Sequence, residues 1–272
     1  MLKTGDTLAV IGCGTMGEAI VRGLFRSGKL LPSQVHATDR RPELVESLAR
    51  DHGMKVTQDN LAAARECSLA LLCLKPQHMA GALDNDPMRA ALEGKAVISI
   101  AAGVRLAQLS AWLPKSALIR AMPNTPAVIG QGMTVLARAK GVTDAQVAQA
   151  LEIFNGVGRA TELDESNMDV VTALNGSGPA FVFLVMEALA DGAVMMGLRR
   201  DVAVAIAAQM LQGAARMVQE TGLHPAALKD QVTTPAGCTI AGLLTLEDGR
   251  IRSVLARAVE EASRVAGRLG QS

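Results

Sequence analysis

The chain has no tyrosine, one tryptophan and four phenylalanines in 272 residues, and its charge is almost balanced, with 27 basic against 26 acidic side chains. Proteins that grip nucleic acid rely on a basic stripe and on aromatic platforms for bases. With neither a Lys/Arg block nor an aromatic motif here, nucleic acid is not an expected partner. The four cysteines, at 13, 67, 73 and 238, show no CxxC spacing, and the four histidines at 36, 52, 78 and 224 are scattered. Neither a metal site nor a disulfide framework is indicated, which suits a reducing compartment. Long apolar runs are also missing: the stretch 180–186 is halted by Glu187 and Asp191, well short of the roughly 20 residues that span a bilayer. The polar residues 1–6 lead directly into a strand, leaving no room for a signal peptide. A soluble, cytoplasmic protein with no membrane partner is the expectation.

What is present is organised in two halves. A chain of 272 residues exceeds the usual single domain of about 100–200, so two domains are expected, at 1–163 and 164–272. In the first, the apolar run 7–11 ends at Gly12-Cys13-Gly14-Thr15-Met16-Gly17, after which Ala19, Ile20, Gly23 and Leu24 recur with helical spacing. A second strand, 35–38, closes on Asp39-Arg40-Arg41, and further apolar runs at 69–74, 96–100, 118–121 and 133–137 are bounded by Gly, Pro or charged turns. Strands alternating with helices predict an α/β fold whose N-terminal domain is a Rossmann-type, doubly wound parallel sheet.

A lone glycine fingerprint is weak evidence, because glycines also serve ordinary turns. Here a strand precedes it, a helix follows, and Asp39 lies 22 positions after Gly17, the context that marks dinucleotide binding. Gly12 permits the turn, Gly14 lets backbone approach a pyrophosphate, Gly17 allows close helix packing, and the helix N-terminal amides face the phosphates. Asp39 alone favours NAD through the ribose hydroxyls, whereas Arg40 and Arg41 favour the 2′-phosphate of NADP. The residues point both ways, and a solvated Arg pair at a helix start is the bland alternative.

Beyond residue 163 strand signals stop. Asp164 to Asn167 offer helix caps, and Met168, Val171, Leu174, Phe181, Leu184, Val185, Leu189, Val194 and Met195 form a broad apolar face, interrupted by Pro179, which should kink or break the helix. Segments 199–219, 239–247 and 250–269 also read as helical. This all-helical C-terminal domain has more apolar face than a small bundle can bury, which predicts a subunit interface, most simply a two-fold dimer; packing of the surplus on the first domain is the other reading.

Two motifs in this half carry the chemistry: Asn175-Gly176-Ser177-Gly178-Pro179-Ala180, and Val232-Thr233-Thr234-Pro235-Ala236-Gly237-Cys238-Thr239-Ile240-Ala241-Gly242. With Leu74-Lys75-Pro76-Gln77, the run 99–104 and Arg120-Ala121-Met122-Pro123-Asn124-Thr125-Pro126, they make the sequence resemble the pyrroline-5-carboxylate reductase family along essentially its whole length. The resemblance implies NAD(P)H-dependent reduction of 1-pyrroline-5-carboxylate to L-proline, the final step of proline synthesis, with NADPH as the cofactor and NADH as the alternative. It also implies a homodimer built through C-terminal helices, and a ring of dimers beyond it.

Carried over residue by residue, Thr239 matches the family's hydroxyl partner for the substrate's imine nitrogen and is the catalytic candidate. Thr234, Ala236, Gly237 and Cys238 complete the substrate loop, and Glu220 holds the position of a glutamate near the substrate pocket. Cys73, Leu74, Lys75 and Pro76 match the cofactor-lining loop after the fourth strand, Ala101 and Ala102 the next such loop, and Asn60, 15 residues before Lys75, the adenosine-side asparagine. From the residues alone, Thr239 reads first as a helix N-cap, Glu220 equally as a solvated helix-end residue, and Cys238 finds no His or Asp arrangement that would make it a nucleophile. Ala236 stands where the family commonly has Gly, Cys238 where it often has Thr or Ala, and Asn175 and Phe181 where Ser and Tyr are more usual. Two competing readings remain. A hydroxyacid dehydrogenase of similar build would need a Lys and an Asn in its central helix, and no lysine lies between Lys140 and Lys229; a catalytically silent NADP-binding protein would not need the intact Thr239 loop.

Overall fold

The computed structural model describes residues 5–269. Its first part is built on an eight-stranded sheet in the order β3-β2-β1-β4-β5-β6-β7-β8. The central strands β1 (Leu8–Ile11), β2 (Val35–Thr38), β4 (Leu69–Leu72) and β5 (Ala96–Ser99) are buried at every position. β1 and β4 therefore read as continuous apolar runs rather than alternating ones, as expected for parallel strands covered on both faces, while β2 and β5 bury the polar His36, Thr38 and Ser99 as well. Helices α1 (Thr15–Arg26), α2 (Pro42–His52), α3 (Asn60–Glu66), α4 (Pro76–Leu83), α5 (Asp86–Leu92) and α6 (Leu106–Trp112) fill the connections. Successive side chains of β1 feed different cores: Leu8 and Val10 join Ile20, Leu24 and Phe154 on one face, while Ala9 and Ile11 join Met79, Leu83 and Leu109 on the other.

The sheet departs from uniform parallel order once. Strand β6 (Ala117–Met122) pairs antiparallel with β7 (Gly132–Arg138). The connection 123–131 holds only a 3₁₀ turn, Thr125–Ile129, too little chain for the crossover that a parallel partner needs. After α7 (Asp144–Phe154), β8 (Gly158–Glu162) runs parallel to β7 and ends the sheet. Strand β3 (Lys55–Thr57) and β8 escaped the sequence reading for the same reason: both are edge strands, half-exposed along their length, without an apolar run.

The helical part begins with α8 (Met168–Val171), passes through a π turn at Thr172–Ser177 and continues as α9 (Gly178–Met195). Pro179 was expected to kink or break this helix. The helix instead widens for one turn just before it, a common accommodation inside helices. By length and composition, the stretch Glu165–Met195 is apolar enough to cross a membrane, a length that the shorter run 180–186 concealed. It is followed by α10 (Arg200–Thr221), α11 (Pro225–Val232), α12 (Cys238–Asp248) and α13 (Ile251–Leu269); α11 was not anticipated.

Packing divides the chain into residues 1–177 with 261–272, and residues 178–260. Within 178–260, α9 packs on α10, yet the buried apolar residues are only Ala190, Ala203, Ala207 and Leu228. Three of those four are alanines, so this unit has almost no core, while Met195 and Met196 are 86% and 87% exposed and Phe183, Leu184 and Ile206 are exposed as well. A soluble monomer rarely leaves so much contiguous apolar surface open.

Candidate active site

At the carboxyl ends of β1, β2 and β4 lies a groove of about 430 Å³ lined by Gly12, Gly14, Asp39, Arg40, Arg41, Gln58, Asn60, Cys73, Leu74, Lys75, His78 and Ala82. Open α/β sheets place ligands in this position. Gly12 takes a φ of 82°, and a Cβ there would come within 2.7 Å of the Leu74 Cδ2 atom. Gly17 is buried, and a Cβ on it would sit 3.3 Å from both Cys73 Sγ and Val10 Cγ1, so α1 approaches β1 and β4 as closely as a side chain would allow. The N-cap of α1 is Gly14, which has no side chain to close the helix end. The first amides of α1, on Thr15, Met16 and Gly17, are therefore left for an external acceptor.

The groove's far wall is held by hydrogen bonds. Thr38 Oγ1 donates to Asn60 Oδ1 at 2.6 Å and accepts from the Gly12 amide at 3.3 Å, which fixes the Asn60 amide and leaves its NH₂ for a ligand. Gln58 Nε2 donates to the Arg40 carbonyl at 2.7 Å. Asp39 receives Arg41 Nε and Nη2 at 2.9 and 3.1 Å, and the Arg41 amide at 3.0 Å. Burial works to raise the Asp39 pKa, but those hydrogen bonds and the charges of Arg41 and Arg40 outweigh it and hold the carboxyl below its ordinary range. It stays ionised. Thr38, Gln58 and His78 carry no motif and were missed in the sequence; only their places, ending β2, preceding α3 and opening α4, could have drawn attention to them.

Several expected cofactor residues do not line this groove. The Cys13 side chain is fully buried in the core and its amide donates to the Thr38 carbonyl at 2.6 Å; burial, with Glu18 and Asp39 nearby, pushes its thiol up to about 12. Cys73 does line the groove, and burial raises its thiol as well. Ala101, in the loop after β5, is buried. Pro76 and Ala102 border a separate cavity of about 350 Å³ with Gln77, Val104, Gln108 and Trp112. Thr15 and Met16 open α1 and are not among the residues that line the groove.

The residues expected to hold substrate lie in the other unit. Thr234 to Gly237 form a tight turn, closed by the Gly237 amide on the Thr234 carbonyl at 3.1 Å, and Ala236 takes a left-handed φ of 55°. Gly237 is the N-cap of α12, with no side-chain cap. Thr239, second residue of that helix, is therefore not the cap that the sequence alone suggested, and its half-buried hydroxyl is not consumed in closing the helix. Cys238 is exposed. Glu220, near the end of α10, pairs with Arg216 at 2.7 Å on the exposed helix surface.

Comparison with known proteins adds identity to this geometry. Residues 165–269 match the model for the pyrroline-5-carboxylate reductase dimerisation domain. A pyrroline-5-carboxylate reductase of Methanosarcina acetivorans is 42% identical over 97% of this chain and 98% of its own length. The chain belongs to the pyrroline-5-carboxylate reductase family.

A solved reductase of this family from Coxiella burnetii superposes with a TM-score of 0.92 at 32% identity, covering 98% of this chain and all of its own. The Plasmodium falciparum reductase, solved with NADP bound, gives 0.87 at 27% identity, covering 97% of this chain and 98% of its own. Residues 7–103 also match a coenzyme F420-dependent NADP oxidoreductase model, in keeping with NAD(P)H as the cofactor class of this reductase family member. The hydroxyacid dehydrogenase reading loses its remaining residue in this geometry. Asn175 Nδ2 donates to the carbonyls of Met122 and Met133 at 2.9 and 3.0 Å, and its Oδ1 accepts from Asn124 at 3.0 Å. An amide with both ends committed to the backbone and a neighbour is a structural clamp.

Proposed function

We propose that this protein reduces the C=N bond of 1-pyrroline-5-carboxylate with NADPH, and more weakly with NADH, to give L-proline in the final step of proline synthesis. The observation that carries the reading is the pair of helix N-termini capped only by glycine, α1 behind Gly14 and α12 behind Gly237. Each presents free amides to an anion. The residues fit a dinucleotide: Gly14 has no Cβ to block the α1 amides, Asn60 offers its NH₂ to the adenosine end, and Arg40, Arg41 and Lys75 bring positive charge to the groove for its phosphates. When bound, the reduced nicotinamide supplies the hydride.

On the substrate side, the amides that open α12 hold the carboxylate without a dedicated arginine. The Thr239 hydroxyl hydrogen-bonds the ring nitrogen as it becomes an amine. Since an imine can arrive protonated, no strong general acid is required, and the acceleration comes from positioning and desolvation. The near-coreless unit 178–260, within the matched dimerisation segment, supports self-association. We assign the exposed apolar faces of α9 and α10 to a homodimer, and rings of dimers to further assembly, in the cytoplasm and without a metal ion.

The test is oxidation of NADPH and NADH by purified protein with 1-pyrroline-5-carboxylate, with proline measured in parallel. Stoichiometric proline supports the assignment; cofactor binding without turnover removes it. A Thr239→Ala enzyme that folds and binds cofactor should lose about 10- to 100-fold in kcat, the effect of losing one hydrogen bond, about 1–3 kcal/mol, to the nitrogen lone pair that forms as hydride adds. Wild-type turnover in that variant would take the hydroxyl out of the mechanism.

A further inference from the structure

Asp39 occupies the position at which an acidic residue binds ribose hydroxyls in NAD-using folds. Here that carboxylate is not available. Its side chain is only 9% exposed and both oxygens are engaged by Arg41, through Nε on Oδ1 and Nη2 on Oδ2, with the Arg41 amide also on Oδ1. The partner is the exposed member of the pair: the Arg41 side chain is 53% exposed, and a Cβ on Gly14 would meet Arg41 Nη2 at 3.6 Å. The guanidinium therefore lies beside the glycine that opens the helix end. A guanidinium has five N–H donors, and the two spent on Asp39 leave three directed elsewhere. Arg40 lines the same groove, and its charge also acts on Asp39. Asp39 is the single carboxylate lining the groove against Arg40, Arg41 and Lys75, and it is neutralised by one of them.

Resting on the dinucleotide reading above, we infer that Asp39 is a positioning residue: by clasping Arg41 it withdraws from the ribose and aims the guanidinium at a 2′-phosphate, so that one pair sets the preference for NADPH over NADH. Two consequences separate this from a simple contact. Removing Arg41 deletes a phosphate donor and also unmasks a carboxylate, which repels a 2′-phosphate and accepts ribose hydroxyls. Neutralising Asp39 in that background removes the repulsion and the new acceptor together.

The adenosine half of the cofactor suffices as a probe. Calorimetry with adenosine 2′,5′-bisphosphate and with adenosine 5′-monophosphate reads the pair without turnover. The wild-type protein should prefer the bisphosphate. Arg41→Ala should weaken the bisphosphate by about 10- to 100-fold, as expected for loss of charge-assisted hydrogen bonds, and leave the monophosphate equal or tighter. Adding Asp39→Asn should restore part of the bisphosphate affinity and cancel any gain for the monophosphate. Equal weakening of both probes by Arg41→Ala overturns the inference, because a merely structural role would not move their ratio. So does a double variant no better for the bisphosphate than Arg41→Ala alone. Wild-type protein that binds neither probe overturns the nucleotide reading along with it, whereas selective weakening without recovery removes the clasp and leaves the nucleotide site standing.

Discussion

Asn175 gives the sharpest test of how the sheet is tied to the helix that follows it. Lying in the π turn, it donates from Nδ2 to the carbonyls of Met122, which ends β6, and Met133, the second residue of β7, and accepts from Asn124 Nδ2. Asn124 in turn accepts the Met133 amide at 2.9 Å. The loop end of the antiparallel pair is thus tied together by two asparagines. Replacing Asn175 by Ala removes three hydrogen bonds, each with a net value of about 1 kcal/mol, and strands acceptors beside buried Met122, so a loss of about 3 kcal/mol is expected. Serine has one hydroxyl, which can donate to at most one of the two carbonyls while accepting from Asn124, so Asn175→Ser should cost about 1 kcal/mol. Urea unfolding at one fixed protein concentration measures both as shifts in midpoint at constant slope. An Asn175→Ala protein within about 0.5 kcal/mol of wild type, the ordinary range for an uninvolved surface site, would refute the clamp. So would a serine variant less stable than the alanine one.

Two further expectations follow from single residues. Ala236 is exposed and holds a left-handed φ of 55°, a conformation that costs an L-residue about 1–2 kcal/mol and glycine nothing. Ala236→Gly should be neutral or slightly stabilising, since glycine's unfolded-state entropy offsets about 0.4–1 kcal/mol, while Ala236→Val should be clearly worse. Thermal unfolding and KM for the imine, measured across the three, should rank in that order, and a valine variant equal to glycine would contradict the loop geometry. His36, on β2, is buried, with Nδ1 3.0 Å from Glu66. Burial and the Lys55 charge lower its pKa and outweigh Glu66, which acts to raise it. The unfolded chain therefore takes up the proton first as pH falls, so His36 contributes stability above about pH 6.5 that is lost as pH drops through its folded value. His36→Gln should flatten stability between about pH 7 and 5; an unchanged slope would exclude His36 as its source.

The sequence was most legible where one local pattern had one physical cause. Residues 7–24 combine a buried strand, a turn that demands positive φ at Gly12 and a helix that must lie close at Gly17, and each demand leaves its own residue type. β8 was invisible because its place is decided by pairing with β7 at the sheet edge, not by apolarity of Gly158 to Glu162. The reversal of β6 and β7 is a matter of connection length, which residue types do not reveal. Thr239 shows the opposite limit: a threonine opening a helix is by itself a capping signal, and only the placement of Gly237 shows that the cap lies two residues earlier. Cys13 sits between two groove glycines, yet its side chain turns into the core and leaves the groove to its neighbours.

The cysteines have a practical consequence. Cys13 and Cys67 are buried and Cys73 is half-buried, with burial raising all three thiols, while Cys238 is exposed at the first turn of α12. A maleimide dye added to the native protein should therefore attach at a single place, one residue before Thr239. Without any engineered thiol, the chain carries a built-in attachment point from which fluorescence can follow the turn 234–237 as ligands arrive.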